Sequence, residues 1–122
     1  MKTAELIDTD LDYWVARAIG HNVSRGTSGF TVLDWQRPGS PVRGNPFQPS
    51  TSWAQAGPII EQAKIDIGPR PLGGWHAAIY DWSAPAGERW KAQKVGGETP
   101  LVAAMRAFVA SKFGEEVEDA KP

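Results

Sequence analysis

Histidine, the side chain best suited to acid, base and metal-ligand work near neutral pH, occurs only at His21 and His76, half the chain apart. There is no cysteine, so disulfides, thiolate zinc sites, iron–sulfur clusters and a cysteine nucleophile are excluded by inventory. Ser28, in GTSG, lacks the spacing of a nucleophile elbow and precedes a strand-like run where such a serine should follow one. Neither GxGxxG nor a P-loop is present. The carboxylates of Asp81 and Glu88 flank a predicted hairpin loop, where solvent-facing turn roles suit them. No catalytic constellation, metal site or cofactor is therefore expected, and the chain reads as a protein that binds.

The chemistry that remains is aromatic and cationic. Arg70, Trp75, His76, Tyr80, Arg89, Trp90, Lys91 and Lys94 fall on or beside one predicted hairpin. An exposed face presenting His76 or Tyr80 beside Arg89 and Lys91 could stack a base and hold a phosphate. The bland alternative is that the aromatics are core and the cations a solvated strand face. A proline-rich loop over 37–49 could close on such a site with Arg43 as an anion contact, and loops of that length in small domains are functional or mobile. A second group, Ser52, Trp53 and Gln55, opens the most idiosyncratic segment of the chain. Ser52 and Gln55 have the spacing of a helix capping box, which accounts for them structurally; a binding role is the alternative.

The elements that must position these residues are legible in part. The run TPLVAAMRAFVASKFG predicts a core helix. Thr99 is a good N-cap, Pro100 suits the first turn, and Leu101, Val102, Met105, Phe108, Val109 and Phe113 recur on one face, with Gly114 as the terminator. An amphipathic helix is predicted over 10–19, capped by Asp8 or Thr9, ended by Gly20, with Trp14 in the core. The run over 21–29 reads as turn, 30–36 as a strand, and 65–74 as a short extended piece and a turn. Over 50–64 a helix is expected to kink or split at Gly57-Pro58. Strands are predicted over 75–82 and 88–95, the first apolar on both faces and so the more central, and Gly96-Gly97 is expected to break the chain before the last helix.

The 122 residues, 41% hydrophobic with six tryptophans, suffice for one packed domain over 1–114, with an acidic flexible tail over 115–122. The expected fold is α+β: a small antiparallel sheet of three to four strands packed against N-terminal, central and C-terminal helices. Net charge is −1, which gives no global basic field for non-specific nucleic-acid binding. Between Arg25 and Lys94, however, eight basic residues (Arg25, Arg37, Arg43, Lys64, Arg70, Arg89, Lys91, Lys94) meet five acidic ones (Asp34, Glu61, Asp66, Asp81, Glu88). No apolar run is long enough to span a bilayer, and the N-terminus has no signal-peptide pattern, so a soluble, unprocessed protein is expected.

The run NPFQPSTSWAQAGPIIEQAKIDI, followed by TPLVAAMRAFVASKFGEEV, resembles the NinX-type small proteins of tailed phages and prophages, and MKTAELIDTDLDYWVARAIGH is similar too. The most specific part is PSTSWAQAGPIIE. The resemblance implies a phage accessory protein working in the bacterial host cytoplasm, and it carries over no catalytic residue. Beside the residue chemistry, it leads to the expectation of a host protein or a small anionic ligand, such as a nucleotide, as the partner. Single-stranded nucleic-acid binding on the hairpin face is the alternative, and a small nucleotide-acting enzyme with His76 as base is a third. No membrane partner is expected, and a homo-oligomer is possible on aromatic content alone.

Overall fold

A computed structural model describes residues 2–21, 23–26, 29–32, 47–80, 85 and 94–117. It has the expected α+β arrangement. In chain order, a 3-10 turn (Thr3–Glu5) is followed by α1 (Asp8–Ile19), β1 (Val23–Gly26), β2 (Gly29–Val32), α2 (Trp53–Ala63), β3 (Ile65–Pro69), β4 (Trp75–Ile79), β5 (Val95–Gly97) and α3 (Pro100–Phe113).

α3 is the centre of the fold. Thr99 caps it by accepting from the Val102 N–H at 3.1 Å, and Pro100 occupies the first turn. It buries more than the single face that its large residues suggest. Ala103, Ala104 and Ala107 are buried along with Leu101, Met105, Phe108 and Val109, because the helix lies between the sheet on one side and α1 and α2 on the other. Small side chains let the sheet come close, and Gly97 carries this furthest. A Cβ there would stand 2.5 Å from the Ala103 nitrogen. Gly96 and Gly97 therefore do not break the chain; they form β5 and allow it to pack on α3.

The sheet β3-β4-β5 is antiparallel with β4 central, as the two-sided apolarity of its sequence requires. Ile65 pairs with Ile79, and Ala77 with both Ile67 and Val95, so one face carries Ile65, Ile67, Trp75, Ala77, Ile79 and Val95 into the core. The other face carries Asp66, Gly68, His76 and Ala78. β1 and β2 form a separate two-stranded ladder in register Val23 to Val32 and Gly26 to Gly29. The expectation of a turn throughout 21–29 is thus corrected: residues 23–26 are drawn into a strand by their ladder with residues 29–32. Residues 33–36, 81–84 and 86–93, on which other parts of the predicted strands fall, lie outside the described residues.

α1 begins earlier than expected. Its cap is Ile7, whose side chain caps nothing, and Asp8 sits inside the helix start at φ 50, a left-handed conformation uncommon outside glycine. Gly20 ends it as expected. Trp14 is in the core, edge-on to Tyr13 and Phe113 at 5.2 and 5.4 Å. α2 neither splits nor restarts at Pro58. It continues through because Ala54, whose carbonyl loses its partner to the proline, is exposed to water. Finally, the chain ends meet. The Thr3 hydroxyl donates to the Gly114 carbonyl at 2.7 Å, the Thr3 N–H donates to Glu115 O at 2.8 Å, Lys2 bridges Glu116, and Val117 is buried. The first residues of the expected tail are therefore held; 118–122 lie outside the described residues.

Candidate functional site

At the N-terminal end of α3 the starts of three helices converge on one cleft. Ile7 and Asp8 bring the start of α1, Ser50, Thr51 and Trp53 that of α2, and Thr99 to Val102 that of α3; Glu98 and Arg106 complete a recess of about 570 Å³. Glu98 and Arg106 also line a second, more open recess of about 490 Å³, walled by Ala4, Gly73, Gly74, Gly96, Gly97 and Arg70. The two recesses adjoin at these shared residues, and each is of the size that small-molecule sites occupy.

The two ends differ in chemistry. At one, Trp53 is 59% exposed and Ile7 54%, large apolar side chains left to solvent on the same wall. At the other are two guanidinium groups on a glycine floor. Arg70 lies over Gly96, so close that a Cβ there would meet its Nη1 at 2.5 Å. Arg106 reaches the same glycine from α3: its Nη1 donates to Gly96 O at 3.0 Å and its Nε to Leu6 O at 2.8 Å. Those bonds fix its plane and use two of its five N–H groups. Burial pushes Arg106 below the usual guanidinium range while Glu98 and Glu5 pull the other way; it stays a cation. Gly73 and Gly74 both hold positive φ, 109° and 79°, in the turn that returns β3 to β4, and Arg70 N donates to Gly74 O at 3.0 Å across it.

Helix starts carry unpaired N–H groups and the positive end of the helix dipole. α1 has no side-chain cap, but Asp8 and Asp10 stand in its first turn and offset the dipole, and the starts of α2 and α3 are capped by Ser52 and Thr99. The two arginines favour an anion; Asp8 and Glu98 set two carboxylates against them.

The Trp53 wall is held by a buried acid. Asp12, 5% exposed in α1, accepts from the Ser50 N–H at 2.8 Å and from the Ser50 hydroxyl at 3.0 Å. Burial raises its pKa from 3.8 to about 6, against the lowering effect of the Ser50 bonds and with a smaller push from Asp8. This bond pair ties the segment before α2 to α1.

The structure separates the residues singled out from the sequence. Trp53 stands in the cleft. Ser52 is the N-cap of α2, its hydroxyl accepting from Gln55 N at 3.4 Å, but the capping box is only half made. The Gln55 Oε1 accepts from Gln48 N at 2.7 Å instead of turning back to Ser52. His76 packs over Gly68 on the sheet face away from α3, at 2.9 Å from where a Cβ would be. The Tyr80 hydroxyl donates to Asp66 Oδ2 at 2.8 Å, which raises its pKa. Trp53 on the one hand and His76 with Tyr80 on the other line no common recess among the described residues. Arg43, Arg89 and Lys91 lie outside the described residues. Sequence reasoning missed Arg106, a cation in the middle of a largely apolar helix, and the paired glycines at 73–74 and 96–97 that make the floor. Among the described residues no three His, Asp or Glu side chains gather as a metal site, and no helix is long and apolar enough to cross a membrane.

Fold and cleft together define a small α+β protein with two adjoining recesses, which form a groove-like site, at the base of its central helix. The chain belongs to the bacteriophage P22 NinX family, whose model matches residues 2–112. No curated protein matches it. It is a phage accessory protein.

Proposed function

We propose that the protein works in the cytoplasm of the infected bacterium by capturing a small anionic ligand in the groove at the base of α3, without chemical turnover. The observation that carries this reading is the placement of Arg70 and Arg106 on opposite sides of one glycine floor. Arg70 covers one side of Gly96 and Arg106 bonds its carbonyl, and both line one recess; guanidinium groups suit a phosphate or carboxylate, which they grip through paired N–H bonds. Arg106 is pre-positioned by its bonds to Leu6 and Gly96, so little side-chain freedom is lost on binding.

The test is native mass spectrometry of the full chain purified gently from an expressing bacterium, compared with its denatured mass. A retained small-molecule mass that is lost in Arg70→Gln supports capture. A bare chain that also binds neither phosphate nor acetate in calorimetry removes the reading.

A further inference from the structure

We infer that the groove takes a nucleoside phosphate, with phosphate at the arginine end and the base against Trp53. This rests on the proposed anion capture and names its ligand class. A bare anion uses only the recess that Arg70 lines, one of the two that adjoin at Glu98 and Arg106. It leaves two large apolar side chains, Trp53 and Ile7, exposed on the wall of the same recess. It also leaves Glu98, which lines both recesses, as a carboxylate beside an anion. A ligand that satisfies all three features must carry an anion at one end, hydrogen-bond donors in the middle and a flat apolar group at the other end. A nucleotide has that order: phosphate for Arg70 and Arg106, sugar hydroxyls to donate to Glu98, and a base whose face stacks on indole. Stacking of this kind tolerates any base, so the groove selects the class more than one member of it.

The chemistry is shared by a free nucleotide and by the end of a single strand, and the experiment separates them. Calorimetry on the full chain compares inorganic phosphate, adenosine, adenosine monophosphate and a hexathymidylate strand, for the parent, Trp53→Leu and Arg70→Gln, each checked for an unchanged melting curve. The expected result is that the monophosphate binds at least about tenfold tighter than either phosphate or adenosine, as one stacked base warrants. Trp53→Leu removes that advantage and leaves phosphate binding as it was, while Arg70→Gln weakens both. A strand that binds more tightly than the monophosphate, with the same dependence on Trp53, assigns the site to nucleic-acid ends; the reverse order assigns it to free nucleotides. If phosphate binds and the monophosphate gains nothing, or Trp53→Leu changes nothing, the nucleotide inference falls while anion capture stands. If neither phosphate nor monophosphate binds, both fall.

Discussion

Replacing Asp12 by asparagine should stabilise the protein at neutral pH. Asp12 is 5% exposed, and its pKa rises from 3.8 to about 6 chiefly because burial disfavours the charge. A folded pKa above the unfolded one means that the native state binds more protons between those values, so stability falls as pH rises. The contribution is fully present below about 3.8 and is lost as pH rises through about 6. A rise from 3.8 to about 6 corresponds to about 3 kcal/mol at most. The amide oxygen introduced by Asp12→Asn still accepts from the Ser50 N–H, and the new NH₂ can donate to the Ser50 hydroxyl, so the contacts survive without the charge. Some of the gain is offset because bonds to a neutral amide are weaker than bonds to a carboxylate. Asp12→Asn should therefore gain about 1 to 2 kcal/mol at pH 8, a rise in melting temperature of about 5 °C, and nothing at pH 4. Urea denaturation followed by circular dichroism from pH 4 to 8 measures both. A variant less stable than the parent at pH 8, or one with the parent's pH slope, refutes the assignment of this burial cost to Asp12. Asp12→Ala provides the contrast: with Ser50 buried and its N–H and hydroxyl left unpaired, it should lose about 1 to 3 kcal/mol.

Three further substitutions probe the frame around the cleft. Gly97→Ala places a Cβ 2.5 Å from the Ala103 nitrogen and should cost about 2 kcal/mol or more in chemical denaturation, since backbone must move. Pro58→Ala restores a donor to the exposed Ala54 carbonyl and should stabilise the protein by about 1 kcal/mol in the same assay, the larger helix gain being offset by a more flexible unfolded chain. Thr3→Val removes the 2.7 Å bond to Gly114 O and should cost about 1 kcal/mol, with faster amide exchange at Glu115 to Val117.

What is legible in the sequence is what local chemistry decides. Thr99, Pro100 and the apolar repeat of α3 are a start, a direction and a buried surface, and all three hold. The two-sided apolarity of 75–79 places β4 at the centre of the sheet. What is not legible depends on distant partners. Pro58 reads as a break because sequence cannot tell that Ala54 faces water. Gly96 and Gly97 read as punctuation because the approach of α3, which makes glycine necessary there, comes from the tertiary fold. The cleft is similar. Trp53 stands out in the sequence, but its partners Arg70 and Arg106 come from a turn and a core helix, and the helix periodicity marks Arg106 only as a residue off the apolar face. Asp12 gives no sign at all, since an acid in the first turns of a helix is ordinarily solvated.

The central claim is that anions bind at the base of α3, and a two-dimensional ¹⁵N NMR titration of the full chain with inorganic phosphate tests it most directly. The expected result is saturable shifts at the amides of Gly73, Gly74, Gly96 and Gly97 and at the Arg70 and Arg106 Nε–H signals, with Asp66 and Tyr80, at the other end of the sheet, unmoved. Shifts centred on Asp66 and Tyr80, or no saturable shift anywhere, would contradict it.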